Sequence, residues 1–207
     1  MNDSFKSAVS DWLALGVFCL AAMPLTASLA EDSDSKKIFQ RERLVAWCIV
    51  PFDARKRTPS QRAEMVAKLG MARVAYDWRA EHVPTFETEV EEYKKHGIEF
   101  FAFWSWHDSL EPLIAKHGIR PQIWLMMPAV ADKPDSEKVK AAAEALLPMV
   151  EKTARLGLRL GLYNHGGWGG EPENLAAVCK YLHQHHSAEH VGIVYNFHHG
   201  HEHIVRF

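Results

Sequence analysis

Asparagine and histidine side chains directly follow two short apolar segments in the last quarter of the 207-residue chain. Imidazole titrates near neutral pH and can move a proton, and a side-chain amide can bind hydroxyl groups. Polar groups at the point where a strand meets a loop are typical of the active sites of α/β proteins. We therefore expect one site from the two segment ends, which carry Tyr163, Asn164, His165, Asn196, His198 and His199.

The histidines also have structural interpretations. His165 precedes the glycine-rich turn 166–170, so its ring is alternatively a hydrogen-bonding partner that holds this turn, and the same alternative applies to His199. If Gly200 begins a helix, His199 and His203 lie four residues apart on one helix face and offer nitrogen ligands to a metal ion. The other interpretation of this histidine cluster is an exposed loop.

Composition restricts the classes of partner. The chain is 47% apolar and 24% charged, which is typical of a globular domain. Its net charge is -2 and it has no dense run of lysine or arginine, which argues against a nucleic-acid partner. Cys48 and Cys179 fall in a predicted strand and a predicted helix, so we expect two separate buried thiols rather than a disulfide.

The first 30 residues resemble an export signal. An apolar run at 12–23 is followed by small residues at 28–30 and then by an acidic segment. We predict a signal peptide over 1–30, a linker over 31–42, and a periplasmic or secreted protein with no stable membrane span after cleavage. The alternative is a misassigned start or an isolated amphipathic segment.

From residue 43 onwards, strand-like and helix-like segments alternate six times. Predicted strands cover 44–50, 72–78, 98–106 and 121–127 and the two segments described above, and predicted helices cover 58–70, 83–96, 109–117, 136–156 and 173–186. This spacing predicts parallel strands joined by right-handed crossovers. Neither a dinucleotide-binding glycine pattern nor a P-loop follows the first strand.

Two motifs carry a family resemblance. They are Leu-Tyr-Asn-His-Gly-Gly at 162–167 and Val-Gly-Ile-Val-Tyr-Asn-Phe-His-His at 191–199. Over roughly 44–207 the chain resembles the xylose isomerase-like TIM barrels, the sugar phosphate isomerase/epimerase group. The resemblance implies an α/β barrel of parallel βα repeats with about six of the eight units present. It also implies a sugar isomerase or epimerase that moves a proton next to a carbonyl, with His165 and His199 as catalytic candidates.

In a TIM barrel the carboxyl ends of all strands face one pocket. We therefore add Asp77, Trp106 and His107, from the ends of the second and third predicted strands, to the substrate-binding candidates. Trp104 and Trp106 are alternatives for a ring that faces the pocket. An indole face suits the apolar face of a sugar, and amides and imidazoles suit its hydroxyl groups.

The chain departs from the family at the metal site. The resemblance implies a divalent ion such as Mn²⁺ or Mg²⁺ held by a Glu and an Asp, and Tyr163 and Asn196 occupy those positions here. The family's other two ligands belong to strands seven and eight. A neutral phenol and a neutral amide are poor ligands for a hard ion, so whether a metal binds and whether the chain is an active isomerase are left open.

Three hypotheses remain at this point. The first is a sugar isomerase or epimerase, present as a piece of a longer barrel or as a homo-oligomer that covers the open edges of strands one and six. The second is a non-catalytic carbohydrate-binding barrel. The third, an abasic-site nuclease, requires a basic groove that the charge balance does not provide.

Overall fold

The computed structural model describes Lys37 and residues 39–206. The chain divides into a first unit, residues 1–37, and a second unit, residues 38–207, and the fold below is that of the second unit. The predicted signal peptide over 1–30 and most of the predicted linker lie outside the described residues. Within the described part, no helix has the length and apolar character needed to cross a membrane.

Six short strands form one parallel sheet whose spatial order follows the chain, and each strand pairs in parallel with the next. A sheet that winds in one direction, with a helix in the crossovers, has the arrangement of a TIM barrel. The prediction of about six βα units in a partial barrel is therefore confirmed. The strands are β1 (Val45–Trp47), β2 (Arg73–Tyr76), β3 (Glu99–Trp104), β4 (Gln122–Met126), β5 (Leu160–Tyr163) and β6 (Val191–Val194).

Five α-helices connect these strands among the described residues. The first begins where the sequence predicts, because the Thr58 side chain accepts a hydrogen bond from the Gln61 backbone and the Gln61 side chain accepts one from the Thr58 backbone. The third ends at Gly118, whose φ of 63° is left-handed. The helices are α1 (Pro59–Lys68), α2 (Phe86–Lys95), α3 (Leu110–His117), α4 (Asp135–Arg155) and α5 (Pro172–His185).

The predicted helix over 83–96 is too long at its start. The chain forms a 3-10 helix at Ala80–Thr85, which contains Pro84, and α2 begins only at Phe86. Short 3-10 turns are common at the N-termini of α-helices, so the start of the predicted helix is helical but of the 3-10 type.

The predicted strands over 44–50 and 98–106 are also too long, and both end at a left-handed residue. Cys48 follows β1 with a φ of 56°, and Ser105 follows β3 with a φ of 60°. This backbone conformation lies outside the β region and turns the chain out of the sheet. Both turns lie at the carboxyl edge of the sheet, where they direct the following loops.

Apolar side chains fill both faces of the sheet. The main core lies between the sheet and the helices, and a second cluster on the opposite face is built on Ala75, Ala102 and Trp124. The small alanine side chains leave room there for indoles, and the Trp47 and Trp124 rings meet edge-on with centroids 5.4 Å apart. Aromatic packing of this kind adds to the energy of burial, so this inner face holds the curved sheet together.

Gly161 is required by this inner packing. It pairs with Trp124 of β4 and Gly192 of β6 in the sheet register. A Cβ atom at Gly161 would lie 2.6 Å from Val194 Cγ2 and 2.9 Å from Trp124 Cδ1, whereas a Cβ at Gly192 would meet nothing within 4 Å. The absent side chain at Gly161 therefore makes space for the Trp124 ring.

β1 and β6 are the edge strands of the described sheet. Edge strands offer unpaired backbone groups to another chain. A homo-oligomer that covers these edges stays a prediction.

We expect Gly161→Ala to destabilise the fold by about 1–3 kcal/mol, because the added methyl group forces strained packing in a filled interior. Gly192→Ala is the matched control on the neighbouring strand, and we expect its free energy of unfolding to stay within about 0.5 kcal/mol of the original. Urea unfolding followed by circular dichroism measures both. Equal destabilisation by the two substitutions would contradict this account of the inner face.

Candidate functional site

A cavity of about 310 Å³ opens at the carboxyl edge of the sheet. Its wall combines aromatic rings with polar groups from the ends of β1, β2, β3, β5 and β6. It therefore brings together the two strand ends that the sequence singles out. The lining residues are Trp47, Cys48, Phe52, Asp77, Arg79, Trp104, Tyr163, His165, Asn196, His198 and His199.

Two indoles and a phenol form the aromatic wall. The Trp104 ring meets the Tyr163 ring edge-on at 4.5 Å between centroids, and the Trp47 ring meets it edge-on at 5.5 Å. These contacts fix the rings of three strands against one another. The wall offers flat apolar surfaces of the kind that pack on a sugar ring.

Tyr163 and Asn196 form a directly bonded neutral pair. The Asn196 amide Nδ2 donates to the Tyr163 hydroxyl at 2.6 Å, and its Oδ1 accepts from the His198 backbone N–H at 2.8 Å. Burial raises the pKa of Tyr163, so the phenol remains protonated at neutral pH. Because the hydroxyl oxygen accepts the bond from Asn196, its own O–H can donate to a ligand in the cavity.

Asn164 ties the two strand ends together from behind the cavity. Its side chain is completely buried, its Oδ1 accepts from the Asn196 backbone N–H at 2.6 Å, and its Nδ2 donates to the Asn196 carbonyl at 3.0 Å. Both polar ends of the amide are thereby used. Asn164, a predicted substrate-binding residue, does not line the cavity and positions Asn196 instead.

His165 and His199 face each other across the cavity rim with ring centroids 4.4 Å apart. The His199 ring also meets Tyr163 at 6.0 Å and His198 at 5.2 Å. Burial, followed by repulsion from His165 and His198, lowers the pKa of His199 below its usual value. His199 is therefore neutral at neutral pH and can accept a proton.

Asp77 lies in the part of the cavity wall that follows β1 and β2, between Arg79 and Cys48. Its Oδ1 accepts from Arg79 Nη1 at 2.6 Å, and its Oδ2 accepts a weak bond from the Cys48 thiol at 3.6 Å. Burial, together with the Asp77 charge, raises the pKa of Cys48 to about 11, so this sulfur is a thiol and not a nucleophilic thiolate. Cys48 is half-buried, which corrects its predicted full burial, and Cys179 is buried as predicted.

Trp106 and His107 lie outside the lining of this cavity. The Trp106 Nε1 donates to Asp108, and the Lys152 ammonium lies 4.6 Å from the centre of the indole. The His107 Nδ1 accepts from the Ser109 backbone, and its ring packs against Trp78 at 5.1 Å. Since the left-handed Ser105 turns the chain after β3, Trp104 rather than Trp106 supplies the indole of the third strand.

The predicted helix face that joins His199 to His203 does not form. A 3-10 helix covers His201–Arg206, and the His203 ring is buried against the Tyr195 hydroxyl and within 3.4 Å of the Glu171 carboxylate. His199 instead packs against His165 in the cavity. The two imidazoles therefore have different partners.

The residues of the cavity do not fit the divalent ion that the family resemblance implies. Tyr163 and Asn196, which occupy two ligand positions, are neutral and bonded to each other. Mn²⁺ and Mg²⁺ prefer charged oxygen ligands. Within residues 39–206, the group of metal-binding side chains with ligand atoms within 4.8 Å is Glu87, Glu91 and His117, none of which lines this cavity.

We expect Asn164→Ala to lower the free energy of unfolding by about 1–3 kcal/mol. It leaves the Asn196 backbone N–H without its partner, whereas the Asn196 carbonyl still accepts from the His199 backbone N–H. Asn174→Ala is the control, because the Trp168 carbonyl that it releases also accepts from the Glu171 backbone, and we expect a loss below about 1 kcal/mol. Equal losses of unfolding free energy for the two variants, measured by urea unfolding, would contradict the role of Asn164 in joining the ends of β5 and β6.

We expect the imidazole of His199 to titrate below its usual value, and His165→Asn to raise that pKa by removal of a repelling neighbour. The protein should therefore bind a proton at His199 only as the pH falls below the ordinary histidine range. Titration of the His199 Hε1 signal by NMR measures both pKa values. A pKa that is unchanged or lower in His165→Asn would contradict the contact between the two rings.

No protein-family model matches the sequence, and no curated protein sequence matches it. Several solved structures share its fold, among them the following two. The 3-keto-D-glucoside 4-epimerase YcjR from E. coli, in its apo form, superposes with a TM-score of 0.53 at 14% identity and covers 75% of this chain and 68% of its own. A D-psicose 3-epimerase, solved in the presence of D-fructose, superposes with a TM-score of 0.52 at 15% identity and covers 76% of this chain and 64% of its own.

The chain thus spans about two thirds of the length of these two structures. Identity at this level shows the fold alone. The six-stranded parallel sheet and these superpositions establish that the chain has the fold of the xylose isomerase-like TIM-barrel sugar epimerases, over six βα units.

Proposed function

We propose that the cavity binds a sugar and transfers a proton at a carbon next to a carbonyl, which is the chemistry of a sugar isomerase or epimerase. The observation that carries this proposal is the contact between His165 and His199 at the rim of an indole-lined cavity. Two imidazoles in contact can accept a proton and pass it on. The indoles of Trp47 and Trp104 hold the sugar by its apolar face.

Each group has a role in this proposal. Neutral His199 accepts the proton as the C–H bond breaks, and the electron pair moves to the carbonyl oxygen. The Tyr163 O–H donates to that oxygen, where negative charge develops. His165 takes this proton over from His199, with which its ring is in contact, and returns it to the substrate to complete the rearrangement. No oxidant or reductant is needed, because the sugar is only rearranged.

The neutral pair of Tyr163 and Asn196 distinguishes this proposal from a metal-dependent one. The pair provides a hydrogen-bond donor and no charge for a divalent ion. We therefore propose that binding and proton transfer by the described residues do not depend on Mn²⁺ or Mg²⁺.

The solved structures with this fold support the chemistry at a coarser level. The two described above are an epimerase of a 3-keto-D-glucoside and an epimerase of D-psicose. Because one fold hosts many functions, the proposal depends on the cavity rather than on the likeness.

A non-catalytic carbohydrate-binding protein is the second candidate, and the state of Asp77 favours it. This carboxylate is the acidic side chain among the cavity's lining residues, and it is already bonded to Arg79 and Cys48. A site that lacks a free carboxylate has lost a common general base. In this case the aromatic wall would bind a sugar that is never converted.

Solvent exchange separates the two candidates. We expect incubation in D₂O with D-fructose, D-psicose or a 3-keto-D-glucoside to incorporate deuterium next to the carbonyl of one of them, as followed by NMR. His199→Asn should reduce this exchange by about 10²–10⁴-fold and leave sugar affinity within threefold or so, whereas Trp104→Ala should weaken binding. EDTA should change neither the rate of deuterium exchange nor the affinity for the sugar.

Three results would be decisive against the proposal. Sugar binding without exchange would support the non-catalytic candidate. Exchange that is unaffected by His199→Asn would remove this histidine from the chemistry. Exchange that is lost with EDTA and restored by Mn²⁺ would contradict a metal-independent site. His185→Asn, on the exposed end of α5, is the matched control and should leave exchange unchanged.

A further inference from the structure

A second cavity of about 280 Å³ lies between the ends of β4 and β5. Met126, Met127, Pro128, Val130 and Trp168 contribute to its wall, and Gly166, Gly167 and Gly169 of the glycine-rich turn supply backbone. Among its lining residues, all within the described part of the chain, no side chain carries a formal charge with histidine neutral. The cavity is therefore apolar, in contrast to the cavity that contains Asp77 and Arg79.

The two cavities share one lining residue. His165 lines both of them. Ligand pockets for small molecules usually measure about 300–1,000 Å³. Each cavity alone is close to the lower end of that range, at about 280 and 310 Å³, and only the two together lie well inside it. A ligand that extends past His165 would therefore use both.

Backbone contacts hold the apolar cavity in shape before a ligand binds. Gly169 packs so closely on the end of β4 that a Cβ atom there would lie 2.5 Å from Met127 Cβ. The Trp168 carbonyl accepts a hydrogen bond from the Asn174 side chain at 2.8 Å, which anchors the turn to α5. A binding surface that is held in place does not have to be ordered when the ligand arrives.

Met126 is the exposed part of this wall. Its side chain is 53% exposed although it directly ends β4. Exposed apolar surface beside a cavity often marks a ligand-binding groove, and the flexible thioether adapts to varied apolar groups. The side chain of Met126 can therefore close over an apolar group in the cavity.

We propose that the ligand of this protein is a glycoside whose apolar aglycone occupies the second cavity while its sugar ring occupies the first. This inference rests on the proposed function and narrows its substrate class. Because the first carbon of a glycoside is blocked, the carbonyl that directs proton transfer is then a ketone on the sugar ring. A second sugar fits the cavity less well, since the polar groups among its lining side chains are limited to the His165 imidazole and the Trp168 indole N–H.

Calorimetric titration with matched ligands tests the proposal. The probes are the methyl and phenyl β-D-glucosides, the same pair of galactosides, and cellobiose as a ligand with a second sugar. We expect the phenyl member of a pair to bind at least about tenfold more tightly than the methyl member, because the phenyl ring leaves water. Cellobiose should gain less than threefold or so over methyl glucoside.

Met126→Gln assigns the effect to the second cavity. We expect it to weaken binding of the phenyl glycoside by about three- to tenfold and to leave the methyl glycoside unchanged. Leu69→Gln, at a residue that is 50% exposed and lines neither cavity, is the matched control and should change neither affinity.

The outcomes separate the two proposals. Equal affinities for methyl and phenyl glycosides would overturn the apolar subsite and leave the proposed function standing. A gain with cellobiose equal to that with the phenyl glycoside would overturn the apolar class of the ligand, and equal weakening of both glycosides by Met126→Gln would overturn the location. Binding of none of the five probes would overturn the inference, while deuterium exchange on free ketoses would still report the proposed function separately.

Discussion

The buried amide of Asn164 is the interaction on which the candidate site depends. It bonds both the backbone N–H and the carbonyl of Asn196, and so fixes the end of β6 against the end of β5. Backbone groups that are buried without partners are costly, so the amide holds a single register at this point. These two hydrogen bonds therefore position the residues that follow Asn196, including His198 and His199.

From this tie the site extends inward through neutral contacts. Asn196 donates to Tyr163, whose ring meets Trp104 and Trp47 edge-on across the inner face of the sheet. Small residues such as Ala75, Ala102 and Gly161 make the space for these rings. The core of the partial barrel and the wall of its cavity are therefore the same set of side chains, and substitutions in one alter the other.

Much of the architecture could be predicted from the sequence because its signals are local. Thr58, Pro59 and Gln61 form the predicted helix start, and Gly118 ends the third helix in the predicted left-handed conformation. The strand ends were harder to predict, since Cys48 adopts a left-handed conformation that no local pattern of non-glycine residues indicates. Predicted strand lengths were therefore too great.

The candidate site was predictable in its position and only partly in its members. The two motifs indicated that Tyr163, His165, Asn196 and His199 would meet, and the cavity contains all four. Arg79 was missed as a member and Trp104 was only an alternative to Trp106, because side-chain direction depends on sheet curvature and, for the indole, on the turn at Ser105. Asn164 has the residue type of a ligand-binding group, and only tertiary contacts show that both its polar ends are used within the protein.

The most direct measurement of the central claim is an NMR titration of the histidine Hε1 signals with a sugar that binds. The account predicts that the His165 and His199 signals shift together, with one dissociation constant, while the signal of His107 does not move. Shifts at His107 in place of His199, or separate dissociation constants for His165 and His199, would contradict a shared cavity built from the ends of β5 and β6.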